Sequence, residues 1–511
     1  MTSSGTNPMP GPPSESTGRT RGVSPGREEG PGGDVRAQVS AAWELLLPAA
    51  SAPARRRGRA LQAALRDAVR SGRLPAGTRL PASRALAADL GVSRGLVTEA
   101  YEQLTAESYL RAGRGAGTWV SGDVRPAAAQ GARDMSPRAP GVRVDFRPGT
   151  PDLALFPRSA WAAAHRTALA RLPHSSLGYP DPRGLPELRV ALASLLTRRR
   201  GVVADPERVV VCSGVAQATT LLGFVLRGRG ASAVGVEDPG SPEHASLFAS
   251  TGLATVPLPL DDEGLAVEPL LRSGVSAVVT TPAHQFPTGI AYSAARRGAL
   301  LDWARSTSGV IMEDDYDGDF RYDRAPVGSL QGLDPEHVVY TGSVSKSLAP
   351  GLRLGWLIAP ASMTDEMVAR KRTMDLGNPS VDQAVLADFV AGGGYDRQLR
   401  LCQRAYRERR DAMTEALDRH LPGTEVSGIA AGLHIIARLP ERFGPEDEFL
   451  RRATAAGIAL HPLSRCTAGA RGAQDGTVRL VLGYAHVAPG AVEDGVRLLA
   501  EAVRRGSAAE A

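Results

Sequence analysis

From residue 209 to residue 340 short apolar runs alternate with longer stretches at helical spacing, and this restricts the fold more than any other feature of the chain. The runs are Val209-Val210-Val211, Ala233-Val234-Gly235-Val236, Ala277-Val278-Val279, Gly309-Val310-Ile311-Met312 and Val338-Val339-Tyr340, with helix-like stretches such as 216–226 and 294–306 between them. Such alternation predicts an α/β unit with a mainly parallel sheet. In sheets of that kind the chemistry sits at the carboxyl ends of the strands.

The whole chain has 511 residues, more than one ordinary core accommodates. Its net charge of +6 is modest, but Arg55, Arg56, Arg57, Arg59, Arg66, Arg70, Arg73, Arg79, Arg84 and Arg94 all fall early, an asymmetry that permits nucleic-acid binding. Cys212, Cys402 and Cys466 are odd in number and far apart, which gives neither a disulfide framework nor a metal-ligand spacing. With no apolar run of transmembrane length and no hydrophobic signal core, the expected compartment is the cytoplasm. Residues 1–40 are rich in Gly, Pro, Ser and charge and read as a disordered tail.

A first folded unit is expected at 41–121. Leu61, Ala64, Leu65, Ala68 and Val69 fall at helical spacing, and Ser71-Gly72 stops that helix. Ser83 is the expected N-cap of a second, short helix ending at Gly91, and Ser93 that of a third, whose buried stripe is Leu96, Val97, Ala100, Tyr101 and Leu104. Two short helices joined by a glycine-containing turn form the helix-turn-helix whose second helix enters the major groove, although the same geometry also serves purely structural packing. Tyr109-Leu110-Arg111 and Arg114-Gly115-Ala116-Gly117-Thr118-Trp119-Val120 read as a basic β-wing. Residues 122–143, without periodicity, are a linker to the large unit at 144–511.

The large unit carries both lysines of the chain, Lys346 and Lys371, in a sequence with 60 lysines and arginines. A chain that takes arginine almost everywhere keeps lysine where an amine is required, since a guanidinium does not deprotonate for Schiff-base chemistry. Lys346 is therefore a candidate covalent anchor; the alternative is a lysine without a role. It follows the run at Tyr340, together with Ser343 and Arg353. After Val211, Ser213-Gly214-Val215-Ala216-Gln217 opens a helix, either a phosphate seat or an ordinary turn. After Met312 comes Glu313-Asp314-Asp315-Tyr316, which in isolation also fits a metal site or a solvated loop. One ligand accounts for all three, pyridoxal 5′-phosphate: an aldehyde for a lysine, a pyridine nitrogen for a carboxylate, and a phosphate for a helix N-terminus with a hydroxyl and a cation.

Two families are resembled. Leu80-Pro81-Ala82-Ser83-Arg84, Leu90-Gly91-Val92-Ser93-Arg94, Ala100-Tyr101-Glu102-Gln103-Leu104 and Gly115-Ala116-Gly117-Thr118 resemble the winged helix-turn-helix of GntR-type bacterial regulators. That resemblance implies DNA contacts from Arg84, Ser93, Arg94 and Gly115; at Leu96 the family often has Thr. The large unit resembles fold-type I aminotransferases, with further matches at Gly178-Tyr179-Pro180-Asp181-Pro182-Arg183-Gly184-Leu185 and Thr281-Pro282-Ala283-His284-Gln285-Phe286-Pro287-Thr288-Gly289. It implies helices on both faces of the sheet and a small C-terminal α/β subdomain. It further implies Lys346 as the residue forming the internal aldimine, Ser343 and Arg353 as phosphate ligands with Ser213, Gly214, Val215, Ala216 and Gln217, Asp314 facing the pyridine nitrogen, Tyr316 reaching the phenolic oxygen, and Arg479 clamping a carboxylate. Joined, the halves resemble a MocR-type regulator: a homodimer with the cofactor between subunits and each head packed on the other subunit's large domain.

Departures narrow the function. Phe286 stands where aminotransferases carry Asn, and Ser241 where regulators of this group often have a ring-stacking Tyr. Glu243 stands where the GABA-responsive member has an arginine, which argues against GABA as effector. The expectation is a regulator of operator DNA that senses an amino compound, or pyridoxal 5′-phosphate itself, at Lys346. The alternative is a working aminotransferase.

Overall fold

The computed structural model describes residues 52–113, 117–122, 141–322, 327–428, 431–468 and 477–507. The chain divides into two compact units, Met1–Pro137 and Arg138–Ala511. The tail at 1–40 and most of the linker fall outside the described residues.

In the first unit, helix α1 (Arg57–Arg70) is followed by β1 (Arg79–Leu80), α2 (Ser83–Leu90), α3 (Arg94–Ala106), β2 (Leu110–Gly113) and β3 (Gly117–Val120). The helical spacing of Leu61, Leu65, Ala68 and Val69 places them on one buried face, against Leu86, Val97, Leu104, Leu110 and Val120. Each such leucine contributes roughly 1.5–3 kcal/mol by leaving water. Ser83 does not cap α2: the N-cap is Ala82, with no side-chain hydrogen bond, and Ser83 is already helical. The helix begins one residue earlier than the serine suggests because Ala82, at φ −58° and ψ 142°, takes the non-helical cap position itself. Gly91, at φ +62°, ends α2 in the left-handed region. Ser93 caps α3, its hydroxyl accepting from the Leu96 amide at 3.3 Å. Of the expected stripe, Leu96 is half-buried, and the rest are buried. β3 pairs antiparallel with both β1 and β2, so the wing forms; its tip at 114–116, with Gly115, lies outside the described residues.

The second unit starts with β4 (Val144–Asp145), α4 (Arg158–Arg171), α5 (Pro186–Arg200), β5 (Val209–Cys212), α6 (Val215–Gly228), β6 (Ala233–Asp238) and α7 (Pro242–Ser250). It continues with β7 (Ala254–Asp261), β8 (Gly264–Leu265), α8 (Val267–Ser273), β9 (Ala277–Thr280), α9 (Ala294–Thr307), β10 (Val310–Asp314), β11 (Val338–Ser343) and β12 (Gly355–Ile358). The main sheet has eight strands in the order β5-β12-β11-β10-β9-β6-β7-β8. β12 runs antiparallel to both its neighbours and β8 to β7, while β11, β10, β9, β6 and β7 are parallel.

The apolar runs are unbroken because both faces are covered. Val209 and Val211 enter one core with α4 and α5, while Val210 and Cys212 enter another with α6. Next come α10 (Ala361–Asp375), α11 (Ser380–Ala391) and the long α12 (Gly394–His420). The C-terminal part contains β13 (Glu425–Ser427), β14 (His434–Arg438), α13 (Glu446–Ala455), β15 (Ile458–Ala459), β16 (Arg479–Gly483) and α14 (Pro489–Ser507). Its sheet is β13-β14-β16, fully antiparallel, and β15 pairs with β4. The three cysteines are buried and unpaired. Among the described residues no helix is long and apolar enough to cross a membrane.

Candidate cofactor site and DNA-binding face

Strand pairing brings the candidate residues of the large unit together. Ser343 at the end of β11 lies opposite Gly355, and Gly355 lies opposite Cys212, next to Ser213. Arg353, itself at φ +52°, donates to the Ser213 carbonyl. Gly214 has φ +83°, and a Cβ there would lie 3.0 Å from the Arg353 guanidinium, so only glycine lets backbone and cation approach this closely. Gly214 is also the N-cap of α6 and offers no side-chain acceptor, which leaves the first amides of the helix, at Val215 and Ala216, for an external anion. Gln217 faces inward: its Oε1 accepts from the Ser213 amide at 2.7 Å, and its Nε2 donates to Asp375 at 2.7 Å.

Lys346 lies three residues beyond β11, with Nζ donating to the Gly149 carbonyl. It lines a small cavity with Tyr316, Asp317, Ser343, Tyr340 and Trp356. Burial pushes its amine below the usual lysine range, against the opposing charges of Asp317, Asp314 and Glu243. An amine of this kind is easier to deprotonate, as a nucleophile must be.

The acid cluster splits by strand alternation. Asp314 is buried and its Oδ2 lies 3.0 Å from His244 Nε2 of α7. Burial alone would depress the His244 imidazole, but the hydrogen bond to Asp314 and its charge raise it above its ordinary value. Glu313, on the other face, accepts from the amides of Leu330 and Gln331 at 2.9 and 3.0 Å. Asp315 meets Arg200 at 2.6 Å in a pair that is almost wholly buried, and accepts from Tyr340 at 2.5 Å. Of the three acids, Asp314 alone acts on the Lys346 amine; Asp315, which lines the same cavity as Lys346, is taken up by Arg200 and Tyr340.

Tyr316 is held by His284, whose Nδ1 lies 3.0 Å from the phenolic oxygen and 2.8 Å from Asp317 Oδ2. Burial, and then the Asp317 charge, keep the phenol protonated well above its ordinary range. Phe286 packs edge-on against Tyr316, ring centroids 6.1 Å apart. The imidazole of His284 thus supplies polar contact beside a residue that supplies none. Its Nε2 is buried without a protein partner. Arg479 stands apart: at the start of β16 it lines a cleft with Thr288, Gly289, Leu463 and Arg438, none of which belongs to the Lys346 group. Ser241 donates to Glu243 at 2.9 Å, and this loop is tied to the C-terminal part through Gly240 N to Cys466 O, 2.8 Å.

In the first unit several early arginines serve the fold. Arg66 pairs with Glu107 at 2.7 Å, Arg73 pairs with Asp67, and Arg70 lies over the Tyr109 ring. Arg84, Ser93 and Arg94 are exposed at the starts of α2 and α3. Arg94 and Thr98 share a concave face with Arg79, Gly113, Gly117 and Thr118 of the wing strands.

Residues 58–120 match the model for bacterial regulatory proteins of the gntR family, and residues 146–496 that for aminotransferase class I and II. The chain is 34% identical over 470 residues to the probable rhizopine catabolism regulatory protein MocR of Rhizobium meliloti, covering 87% of this chain and 93% of that one. It belongs to the MocR-type GntR regulators. Another relative is the pyridoxine biosynthesis transcriptional regulator PdxR of Corynebacterium glutamicum, 35% identical over 420 residues, or 81% of this chain and 89% of that one. Among solved structures, the α-aminoadipate aminotransferase LysN of Thermus thermophilus, complexed with N-(5′-phosphopyridoxyl)-L-leucine, superposes with a TM-score of 0.63 at 27% identity, covering 72% of this chain and 94% of that one.

A MocR-type chain is a GntR-type DNA-binding regulator fused to an aminotransferase-like domain. The donor set of this large domain fits a pyridoxal phosphate: an activated amine, a buried carboxylate backed by a cation, a phenol, and a helix N-terminus opened by glycine beneath a guanidinium. Sequence reasoning gave no role to His244, Asp317 or the polar network beneath Ser213, and named His284 only as part of the 281–289 match. Their partners lie tens of residues away, and only the adjacency of His244 to Glu243 gave a local signal.

Proposed function

We propose that this regulator holds pyridoxal 5′-phosphate on Lys346 and controls operator DNA according to what occupies that site. The observation that carries the reading is the join between Arg353, Ser213 and Gly214, a phosphate seat built on the same strand ends as an amine of lowered basicity. When bound, the cofactor supplies an aldehyde that exchanges amines.

This chain's residues do the rest. Lys346, partly stripped of water, holds its Nζ proton less tightly than an ordinary lysine. Asp314, hydrogen-bonded to a His244 imidazole that it raises above the ordinary value, offers its carboxylate to a pyridine nitrogen. Tyr316 stays protonated and donates its phenolic hydrogen, held in place by His284. Arg353, Ser213, Ser343 and the first α6 amides, at Val215 and Ala216, bind the phosphate, with Gly214 opening the turn and Gln217 holding Ser213 from below.

The effector is an amino compound that displaces Lys346; a carboxylate on it meets Arg479 only by reaching out of the Lys346 cavity into the cleft lined by Thr288 and Gly289. Glu243, one of the carboxylates acting on Lys346, disfavours GABA there. A second reading, in which cofactor supply itself is the signal, is supported by the relative named for pyridoxine biosynthesis. In both, what matters is a difference in affinity between two arrangements rather than turnover. The protein acts as a cytoplasmic homodimer, head to tail, a reading supported by the exposure of the large apolar side chains Leu177, Tyr179 and Leu376. Arg84, Ser93, Arg94 and Gly115 contact the operator.

Purified protein loaded with pyridoxal 5′-phosphate is expected to absorb near the visible edge, and Lys346→Ala to abolish that band. An unchanged spectrum in the variant refutes the attachment. Sustained keto-acid production at an enzyme-like rate would favour an aminotransferase.

A further inference from the structure

Lys371 is fully buried on α10, beneath the Ser213 turn. Its Nζ donates to Asp375 Oδ2 at 2.7 Å and to Asn378 Oδ1 at 2.7 Å, with Gln217 Oε1 at 3.5 Å. These are three acceptors around one point, which suits the three donors of an ammonium and not the planar fork of a guanidinium. In a chain built on arginine, that geometry is a reason to retain a second lysine.

The network has a fixed polarity. An ammonium only donates, so the Asn378 amide must turn its oxygen to Lys371 and its nitrogen to Ser213 Oγ, 2.8 Å away. The Ser213 hydroxyl is then an acceptor towards Asn378, and its own proton is left for a different partner. Asp375, held by Lys371, accepts from Gln217 Nε2, which turns Gln217 Oε1 to the Ser213 amide. The amide and the hydroxyl of Ser213 are thereby oriented from below, at the mouth of α6, while its carbonyl accepts from Arg353.

We infer that Lys371 is a positioning residue for the phosphate seat: through Asn378 and Gln217 it fixes Ser213 so that its hydroxyl proton and the α6 amides face a phosphate. This rests on the cofactor reading given above. Lys371 itself touches no ligand.

The test titrates the full-length apo protein with pyridoxal 5′-phosphate and, separately, with pyridoxal, which lacks the phosphate. Wild type should bind the phosphorylated compound more tightly. Lys371→Met should weaken that affinity about tenfold, the loss of one oriented hydrogen bond to a charged group, and leave pyridoxal unchanged. Should Lys371→Met not fold, Asn378→Ala keeps the Lys371–Asp375 pair and is expected to show the same phosphate-specific loss. In a Ser213→Ala background neither substitution should cost as much as in wild type. A variant that keeps the wild-type preference, or loses both ligands equally, overturns the inference while leaving the cofactor reading intact. Wild type binding both compounds equally would overturn the cofactor reading itself.

Discussion

His244 Nε2 lies 3.0 Å from Asp314 Oδ2, and both side chains are buried. The carboxylate at the end of β10 is therefore half of a buried hydrogen-bonded pair whose other half, an imidazole of raised basicity, comes from α7. The imidazole is raised above its unfolded value, so its contribution is complete below about 6.5 and is lost as pH rises through the folded value. His244→Gln is expected to destabilise the large unit by about 3 kcal/mol at pH 6 and by less at pH 9. Urea unfolding of the two proteins at both pH values checks this, and equal losses would contradict it.

Lys346 is the accessible one of the two lysines, Lys371 being sealed. Because burial lowers its basicity, amine-selective labelling of the apo protein at Lys346, followed by peptide mass, should rise with pH at a midpoint below that of a free lysine. Asp317 opposes the shift, so Asp317→Asn is expected to move the midpoint lower still. A midpoint at the free-lysine value would contradict the assignment of a desolvated nucleophile.

At Gly214 a side chain meets two obstacles, a positive φ and the Arg353 guanidinium. Gly214→Ala should cost about 1–3 kcal/mol in backbone strain alone, because φ +83° with ψ 174° is a region essentially reserved for glycine, and it should weaken pyridoxal 5′-phosphate more than pyridoxal. Unaltered cofactor affinity, read by fluorescence titration, would show that the turn is not a phosphate seat.

Two substitutions separate recognition from capping in the head. Arg94→Ala is expected to lower specific DNA affinity by about 1–3 kcal/mol without lowering the melting temperature. Ser93→Ala removes the cap on the Leu96 amide and should cost roughly 1 kcal/mol of head stability as well. Gel-shift and calorimetric measurements on both variants distinguish the effects.

The head was legible because its signals are local: helical spacing, Gly91 in the left-handed region and the Ser93 cap. The residues of the proposed seat and the proposed anchor were legible as residue types at strand ends. β7 was not, since Pro257 and Pro259 argue against a strand; β7 tolerates them because six of its residues pair with β6 while β8 reaches it only at Leu260 and Asp261. β12 was hidden because the residues around Gly355 read as a site loop. The His244–Asp314 and Asn378–Ser213 bonds join positions 70 and 165 residues apart, a separation that no periodicity encodes.

The most direct test measures affinity for the protein's own upstream DNA in apo and pyridoxal 5′-phosphate-loaded forms, for wild type and Lys346→Ala. Loading should change the wild-type affinity by about fivefold or more, the lower range of allosteric coupling, and leave the variant unchanged. Identical affinities for apo and loaded wild type, with or without an added amine, would contradict the account.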